Sequence, residues 1–225
     1  MDEITITING SQLSGSDGMT ILEVAKENGI DIPTLCHGAE FTPIGSCRIC
    51  VVEVEGSRTL VGSCHTPITQ GMVIHTHSPK VLETRKVIVE LLLASHCGSC
   101  IICSKANLCG LRNIAADLEV GLPRFQVRRR YYPVEDVSPY IIRDLTKCVL
   151  CHRCVSACSE IAKQNVFAIA YRGFKSKVVV DFDQPIDKEV CRDCGICIPF
   201  CPTGALSKPS KVGEEKEGEA LFISG

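Results

Sequence analysis

Residues 96–109 of the chain read HCGSCIICSKANLC. Within this stretch one histidine and three cysteines follow the spacing H-x3-C-x2-C-x5-C, at His96, Cys100, Cys103 and Cys109. A [4Fe–4S] cluster takes four protein ligands, usually all thiolates, so a histidine in the fourth place is uncommon. The stretch therefore predicts a [4Fe–4S] site with three thiolates and one imidazole. Cys97, beside His96, is the competing candidate for the fourth ligand.

The composition favours metal chemistry over disulfides. The chain has 16 cysteines among 225 residues, and no basic and apolar leader precedes them, so a reducing, cytoplasmic location is expected. The longest apolar stretch, residues 87–94, is short and contains Glu90, which predicts no membrane span. The net charge of −2 gives no basic excess for nucleic acid. We assign the arginine run 128–130 to a linker.

Two cysteine runs repeat near the end of the chain. Each follows C-x2-C-x2-C-x3-C, and a proline follows only the second; the runs are Cys148, Cys151, Cys154, Cys158 and Cys191, Cys194, Cys197, Cys201. In two-cluster bacterial ferredoxins the fourth cysteine of each run binds the other cluster. This pattern predicts one [4Fe–4S] cluster on the first three cysteines plus Cys201, and another on the second three plus Cys158. Two zinc sites are the alternative.

A third set of cysteines lies near the start of the chain, at Cys36, Cys47, Cys50 and Cys64. Plant-type [2Fe–2S] domains have C-x4-C-x2-C and a distant fourth cysteine, and here the first gap is six residues longer. The surrounding sheet-and-helix pattern supports a [2Fe–2S] site. Gly38, Gly45 and Ser46 are expected to let backbone N–H groups approach the cluster sulfurs. A structural zinc site is again the alternative.

Local patterns predict the secondary structure around these motifs. Isoleucines alternate with threonines over residues 3–8, followed by an Asn-Gly turn, and a capping box at Thr20 and Glu23 starts a helix that stops at Gly29. Further strands are expected at 48–55, 58–63 and 72–77. Ser78 and Pro79 start a second helix with apolar residues Val81, Leu82, Val87, Ile88, Leu91 and Leu92. A short helix is expected at 114–118, and short strands within 166–180.

One cysteine belongs to none of the three predicted sites. The three sets use fifteen cysteines, and only Cys97 remains; a nucleophilic or redox-sensing Cys97 is an alternative. The other histidines, His37, His65, His75, His77 and His152, are assigned to structural or exposed positions. No glycine-rich dinucleotide or phosphate-binding motif is found, so a nicotinamide or flavin site is expected on another chain.

The order of these motifs and the residues within them resemble those of a known group of iron–sulfur proteins. The matching segments are IPTLC at 32–36, GSCRIC at 45–50, the run 147–155, Arg172-Gly173 and CPTGAL at 201–206. The chain resembles, over residues 1–208, the N-terminal part of the complex I large iron–sulfur subunit. It also resembles the N-terminal part of the [FeFe] hydrogenase catalytic subunit and the diaphorase iron–sulfur subunit of NAD-reducing hydrogenases.

The resemblance implies an α+β architecture in three parts. These are a β-grasp [2Fe–2S] ferredoxin domain at 1–77, a short helical His/Cys3 [4Fe–4S] segment at 78–120 and, after a linker at 121–139, a bacterial-type 2[4Fe–4S] ferredoxin module at 140–208. A charged tail follows at 209–225. One [2Fe–2S] and three [4Fe–4S] clusters are expected.

The resemblance also implies a role. The chain has no room for a hydrogenase or molybdopterin domain after the second run, so we expect an electron-transfer subunit that is not catalytic alone. Its partners would be an NAD(P)H-binding flavoprotein and a further catalytic oxidoreductase subunit, with a separate ferredoxin as another candidate partner. The alternative is a free multi-cluster ferredoxin-type carrier. The sequence leaves the terminal partner, NAD against NADP, cluster potentials, bifurcation and oligomeric state open.

Overall fold

A five-stranded mixed sheet forms the first part of the protein. The computed structural model describes residues 3–96, 98–126, 131–136, 138–186, 191 and 194–209. Strands β1 (Glu3–Ile8) and β2 (Ser11–Ser16) form an antiparallel hairpin, and β3 (Val51–Val54), β4 (Val61–Gly62) and β5 (Val73–His75) complete the order β2-β1-β5-β3-β4. Strand β5 is parallel to β1 and antiparallel to β3. The hairpin turns at Asn9 and Gly10, which both have positive φ, as an Asn-Gly turn requires.

Helix α1 (Ile21–Glu27) packs on this sheet and begins as the sequence predicts. The Thr20 hydroxyl accepts a hydrogen bond from the Glu23 backbone N–H, and the Glu23 carboxylate accepts one from the Thr20 backbone N–H. These two bonds satisfy donors that the helix start would otherwise leave unpaired. Gly29 follows the helix with φ of 70°. The α1 residues Ile21, Leu22, Val24 and Ala25 are buried.

Helix α2 (Pro79–Ser95) packs against strand β3, and His96 is its C-cap. Its buried positions are Val81, Arg85, Val89, Glu90 and Ala94, whereas Leu91 is 45% exposed. The buried side therefore includes two charged residues, which the apolar pattern did not indicate. Helix α3 (Gly110–Asp117) follows the middle cysteine stretch and begins four residues earlier than expected. The described part of the chain has no helix long and apolar enough to cross a membrane.

The last part of the chain contains short elements between its cysteines. Two-stranded antiparallel sheets form from β6 (Ile142–Arg143) with β9 (Leu206–Ser207), and from β7 (Ala168–Ala170) with β8 (Lys177–Val179). Helix α4 (Arg153–Ser156) continues into a π-helical turn, Ala157–Ile161, and helix α5 is Cys197–Phe200. Cys158 lies within the π-helical turn, a feature often found at functional sites.

Three apolar cores hold these parts together. One lies under the five-stranded sheet, and another surrounds the two C-terminal cysteine runs. The third joins Leu35 and Ile49 from the first cysteine region to Val89 of α2 and to Cys109 and Leu111, with Val149 packed against it. This third core therefore contains residues next to all three cysteine sets.

The segment 121–139 makes specific contacts in its described residues. The Arg124 guanidinium donates to both carboxylate oxygens of Glu90, with a shortest distance of 2.6 Å. Glu135 forms a bidentate ion pair with Arg143, a residue that is only 1% exposed. The arginine run 128–130, Val137, Cys97 and nearly all of the charged tail lie outside the described residues.

Candidate iron–sulfur sites

The first cysteine set comes together at one end of the five-stranded sheet. Cys36 follows the loop after α1, Cys47 and Cys50 precede β3, and Cys64 follows β4. Cys36, Cys50 and Cys64 are buried. The Cys47 backbone N–H donates to the Cys36 sulfur at 3.4 Å. All four residues predicted for this site are therefore neighbours in space.

Sulfur-to-sulfur contacts link these four thiols in a chain. The thiols of Cys47 and Cys64 donate toward Cys36 and hold its pKa well below the usual range. The Cys64 thiol likewise lowers the pKa of Cys50 to about 6. The donors Cys47 and Cys64 have raised pKa values for the same reason. Four cysteine sulfurs gathered in this way are the donor set that binds iron, so the residues present fit a cluster.

The turn between Cys36 and Cys50 depends on backbone conformations that are rare for most residues. Gly45 has φ of 67° and Arg48 has φ of 58°. Positive φ is free for glycine and costs about 1 kcal/mol or more for other residues. The sequence predicts backbone N–H contacts around Gly38, Gly45 and Ser46; the Ser46 contact found with Cys36 comes from its hydroxyl, which donates toward the sulfur. The strand predicted from Arg48 begins only at Val51, because the chain turns at Arg48.

The two C-terminal runs surround two separate cavities. One cavity is lined by Cys148, Cys151, Cys154 and Cys201, and the other is lined by Cys158, Cys191, Cys194 and Cys197. Each cavity thus gathers three cysteines of one run and the fourth of the other. The grouping agrees with the ligand exchange expected from the motif, while the ligand roles themselves stay predictions.

Apolar side chains line both cavities, and burial raises the pKa values of some of the thiols there. The first cavity is lined also by Leu145 and Val178, and the second by Ile141 and Phe167. Burial raises the pKa of Cys151 to about 12. It raises the pKa of Cys197 to about 12 as well. Such thiols ionise only when positive charge compensates the thiolate, which iron supplies.

Backbone N–H groups are directed at one sulfur of each cavity, and both of these sulfurs belong to the first run. Leu150 N–H donates to the Cys148 sulfur at 3.4 Å, and Val166 N–H donates to the Cys158 sulfur at 3.2 Å. Leu150 and His152 hold left-handed φ values of 53° and 65° within the first run. Hydrogen bonds to the sulfurs are one of the means by which proteins set cluster potentials.

The middle set has a more open geometry. His96 is the C-cap of α2 and is buried, and its Nδ1 accepts from the Gly98 N–H at 3.4 Å. Cys109 is buried at the start of α3, Cys103 is partly exposed and Cys100 is exposed. Cys100 and Cys103 lie close enough to act on the Cys109 charge, although burial is the main cause of the raised Cys109 pKa.

Single metal ions have no ready site in the described part of the chain. Among those residues, no group of three or more His, Cys, Asp or Glu side chains is arranged to hold a metal ion. A zinc site needs four donors at about 2.0–2.3 Å from one ion. The described cysteine side chains do not have that arrangement around a single point.

Family models match three consecutive segments of the chain. Residues 1–79 match the 2Fe-2S iron-sulfur cluster binding domain. Residues 85–124 match the iron-sulfur binding region of NADH-ubiquinone oxidoreductase-G. Residues 138–207 match the ferredoxin-like domain of NADH-quinone oxidoreductase subunit 3. The chain therefore contains ferredoxin-like [2Fe–2S] and [4Fe–4S] domains with mixed α and β content.

Longer relatives match almost the whole chain. It is 40% identical to the NADP-reducing hydrogenase subunit HndD of Solidesulfovibrio fructosivorans, over 98% of this chain and 38% of that protein. It is 36% identical to a subunit of the NADH-quinone oxidoreductase of Rhizobium meliloti, over 90% of this chain and 24% of that protein. The chain thus spans well under half the length of these relatives.

A solved structure agrees over a similar extent. A chain of the NAD+-reducing [NiFe]-hydrogenase in the H2-reduced state aligns with a TM-score of 0.78 and 27% identity. The alignment covers 94% of this chain and 89% of that chain. These comparisons confirm the resemblance inferred from the order of the cysteine motifs.

Proposed function

We propose that the protein is an iron–sulfur electron-transfer subunit that passes single electrons between an NAD(P)H-binding flavoprotein and a second catalytic subunit. The relatives named as NADP-reducing hydrogenase and NADH-quinone oxidoreductase subunits support this role. Hydride chemistry moves two electrons and cluster chemistry moves one, so a flavin on the partner is the expected adaptor.

The proposal rests on one observation: residues from all three cysteine regions pack around one apolar core. Leu35, next to Cys36, shares this core with Cys109 of the middle set, and Val149, next to Cys148, packs against it. Cys109 and the C-terminal module are joined further by a hydrogen bond from Gly110 N–H to the Pro202 carbonyl at 2.8 Å. This packing supports a series of sites that exchange electrons through the protein interior.

We assign the ligands as the sequence predicts. Cys36, Cys47, Cys50 and Cys64 would hold a [2Fe–2S] cluster in a β-grasp domain. His96, Cys100, Cys103 and Cys109 would hold one [4Fe–4S] cluster. The two C-terminal cavities would hold a [4Fe–4S] cluster each. When bound, these clusters supply reversible one-electron chemistry.

The chain itself would fix where the clusters lie and tune their potentials. The N–H groups of Cys47, Leu150 and Val166 donate to ligand sulfurs and would stabilise the extra negative charge of a reduced site. The apolar side chains that line the two cavities lower the local polarity, which strengthens these electrostatic effects.

Purification of the native protein from source cells without oxygen tests the proposal. We expect about 14 iron atoms per chain, from one [2Fe–2S] and three [4Fe–4S] clusters, and co-elution with a flavoprotein and a further oxidoreductase subunit identified by mass spectrometry. A hydrogenase, formate dehydrogenase or transhydrogenase as the third component would name the reaction. A chain that elutes alone with its iron would establish the free-carrier alternative. A colourless protein with zinc and no sulfide would refute both.

A further inference from the structure

A buried arginine lies beside the first cysteine set. Arg85, on α2, is 1% exposed and is among the largest fully buried side chains. Its Nη2 donates to the Val51 carbonyl at 2.8 Å, and Val51 follows Cys50 directly. Its Nε has no hydrogen-bond partner among the residues that the structure describes. No ion pair found in the described residues includes Arg85.

A buried guanidinium without a carboxylate partner is costly. Transfer of a charge into the protein interior is strongly unfavourable unless an opposite charge compensates it. Burial lowers the pKa of Arg85, and the two groups that oppose this effect are Cys50 first and then Asp31. Asp31 is exposed, where solvent screens its charge. Cys50, which is 1% exposed, is the only one of the two that shares the interior with Arg85.

We propose that the Arg85 guanidinium is the countercharge of the Cys36, Cys47, Cys50 and Cys64 site and raises its redox potential. The inference rests on the proposed function, because only a cluster held by four thiolates gives this site a lasting negative charge. Reduction adds one electron, so the site becomes more negative by one charge. A buried cation therefore stabilises the reduced form more than the oxidised form. Net charge near the cluster is a recognised determinant of cluster potential.

Three variants of the full, cluster-loaded chain separate charge from other effects. Arg85→Met removes the charge and keeps much of the side-chain length, and Arg85→Lys keeps the charge. Lys86→Met is the matched control, since it removes one positive charge from the next position of α2, which is exposed. Each protein is titrated with dithionite under potentiometric control, and the [2Fe–2S] signal is followed by EPR.

We expect Arg85→Met to shift the [2Fe–2S] midpoint downward. Arg85→Lys should keep most of the wild-type value, and Lys86→Met should leave it unchanged because an exposed charge is screened. The [4Fe–4S] signals of the same samples serve as internal references and should keep their midpoints. Should Arg85→Met not retain its clusters, Arg85→Gln is titrated in its place, since it keeps a donor for the Val51 carbonyl and loses the charge.

The outcomes distinguish this inference from the proposed function. An intact [2Fe–2S] signal with an unmoved midpoint in the neutral variant would overturn the role of Arg85 and leave the ligand assignment standing. An equally large shift in Lys86→Met would overturn it also. Wild-type protein that shows no [2Fe–2S] signal after loading would overturn the ligand assignment itself, and the inference about Arg85 with it.

Discussion

Gly110 donates its backbone N–H to the carbonyl oxygen of Pro202 at 2.8 Å. Gly110 follows Cys109 of the middle set, and Pro202 follows Cys201 of the C-terminal module. The bond therefore joins the residues that directly follow two proposed ligands of different sites. The middle set and the C-terminal module are also closely packed at Gly204. A Cβ atom built on this glycine would lie 2.8 Å from the Cys103 sulfur.

Gly204→Ala should loosen this contact. Gly204 does not have positive φ, so an alanine acts through the space it fills rather than through backbone strain. Overpacking of this kind costs about 1–3 kcal/mol, and we expect weaker magnetic coupling between the reduced middle and C-terminal clusters in EPR spectra. Gly121→Ala is the control, because no heavy atom of the described residues, apart from its chain neighbours, lies within 4 Å of its Cβ position. Unchanged coupling in Gly204→Ala would show that the contact does not set the distance between the clusters.

Cys201→Ser should damage the cluster of the first C-terminal run and spare that of the second. The reason is that Cys201 lines the cavity of Cys148, Cys151 and Cys154. The EPR spectrum of Cys201→Ser should therefore lack the same cluster signal as the spectrum of Cys151→Ser. Each variant should lose about four iron atoms. Cys158→Ser should instead match Cys194→Ser. A Cys201→Ser spectrum that matches Cys194→Ser would disprove the exchange of the fourth ligand.

His96→Cys should shift the midpoint of the middle cluster downward. An anionic thiolate in place of a neutral imidazole adds negative charge at the site and disfavours reduction. EPR-monitored titration of the loaded chain measures the shift. Cys97→Ser is the matched comparison and should leave the midpoint and the iron content unchanged. If the Cys97 variant moves the midpoint and the His96 variant does not, Cys97 is the ligand.

Glu135→Gln should destabilise the C-terminal module. Arg143 is 1% exposed and donates to both Glu135 oxygens, with a shortest distance of 2.6 Å. Removal of one partner of a buried ion pair costs about 3–5 kcal/mol. The denaturant concentration at which iron–sulfur absorbance is lost should therefore fall clearly.

The pair His75–Glu55 supplies the control for that measurement. Its two side chains are 40% and 61% exposed, and pairs at the exposed surface contribute little, so Glu55→Gln should move the same midpoint only slightly. Equal shifts in Glu135→Gln and Glu55→Gln would mean that burial of Arg143 does not decide the stability of the module.

The sequence by itself determined the local elements whose signals lie within a few residues. The Ile-Thr alternation, the Asn-Gly turn, the capping box at Thr20 and the Ser78-Pro79 helix start all occur as predicted. Each depends on local backbone hydrogen bonds or side-chain alternation. The order of the cysteine motifs was likewise enough for the family resemblance, which the comparisons confirm.

Only the tertiary structure decided the features that depend on distant partners. The expected strand at 48–55 shortens to Val51–Val54, since the chain turns at Arg48. Arg85 has the four-residue spacing of Val81 and Val89 on α2, yet its burial depends on the Val51 carbonyl, 34 residues away. The Gly110–Pro202 bond joins residues 92 positions apart. Such contacts follow from how the parts pack together, and no local sequence pattern encodes that packing.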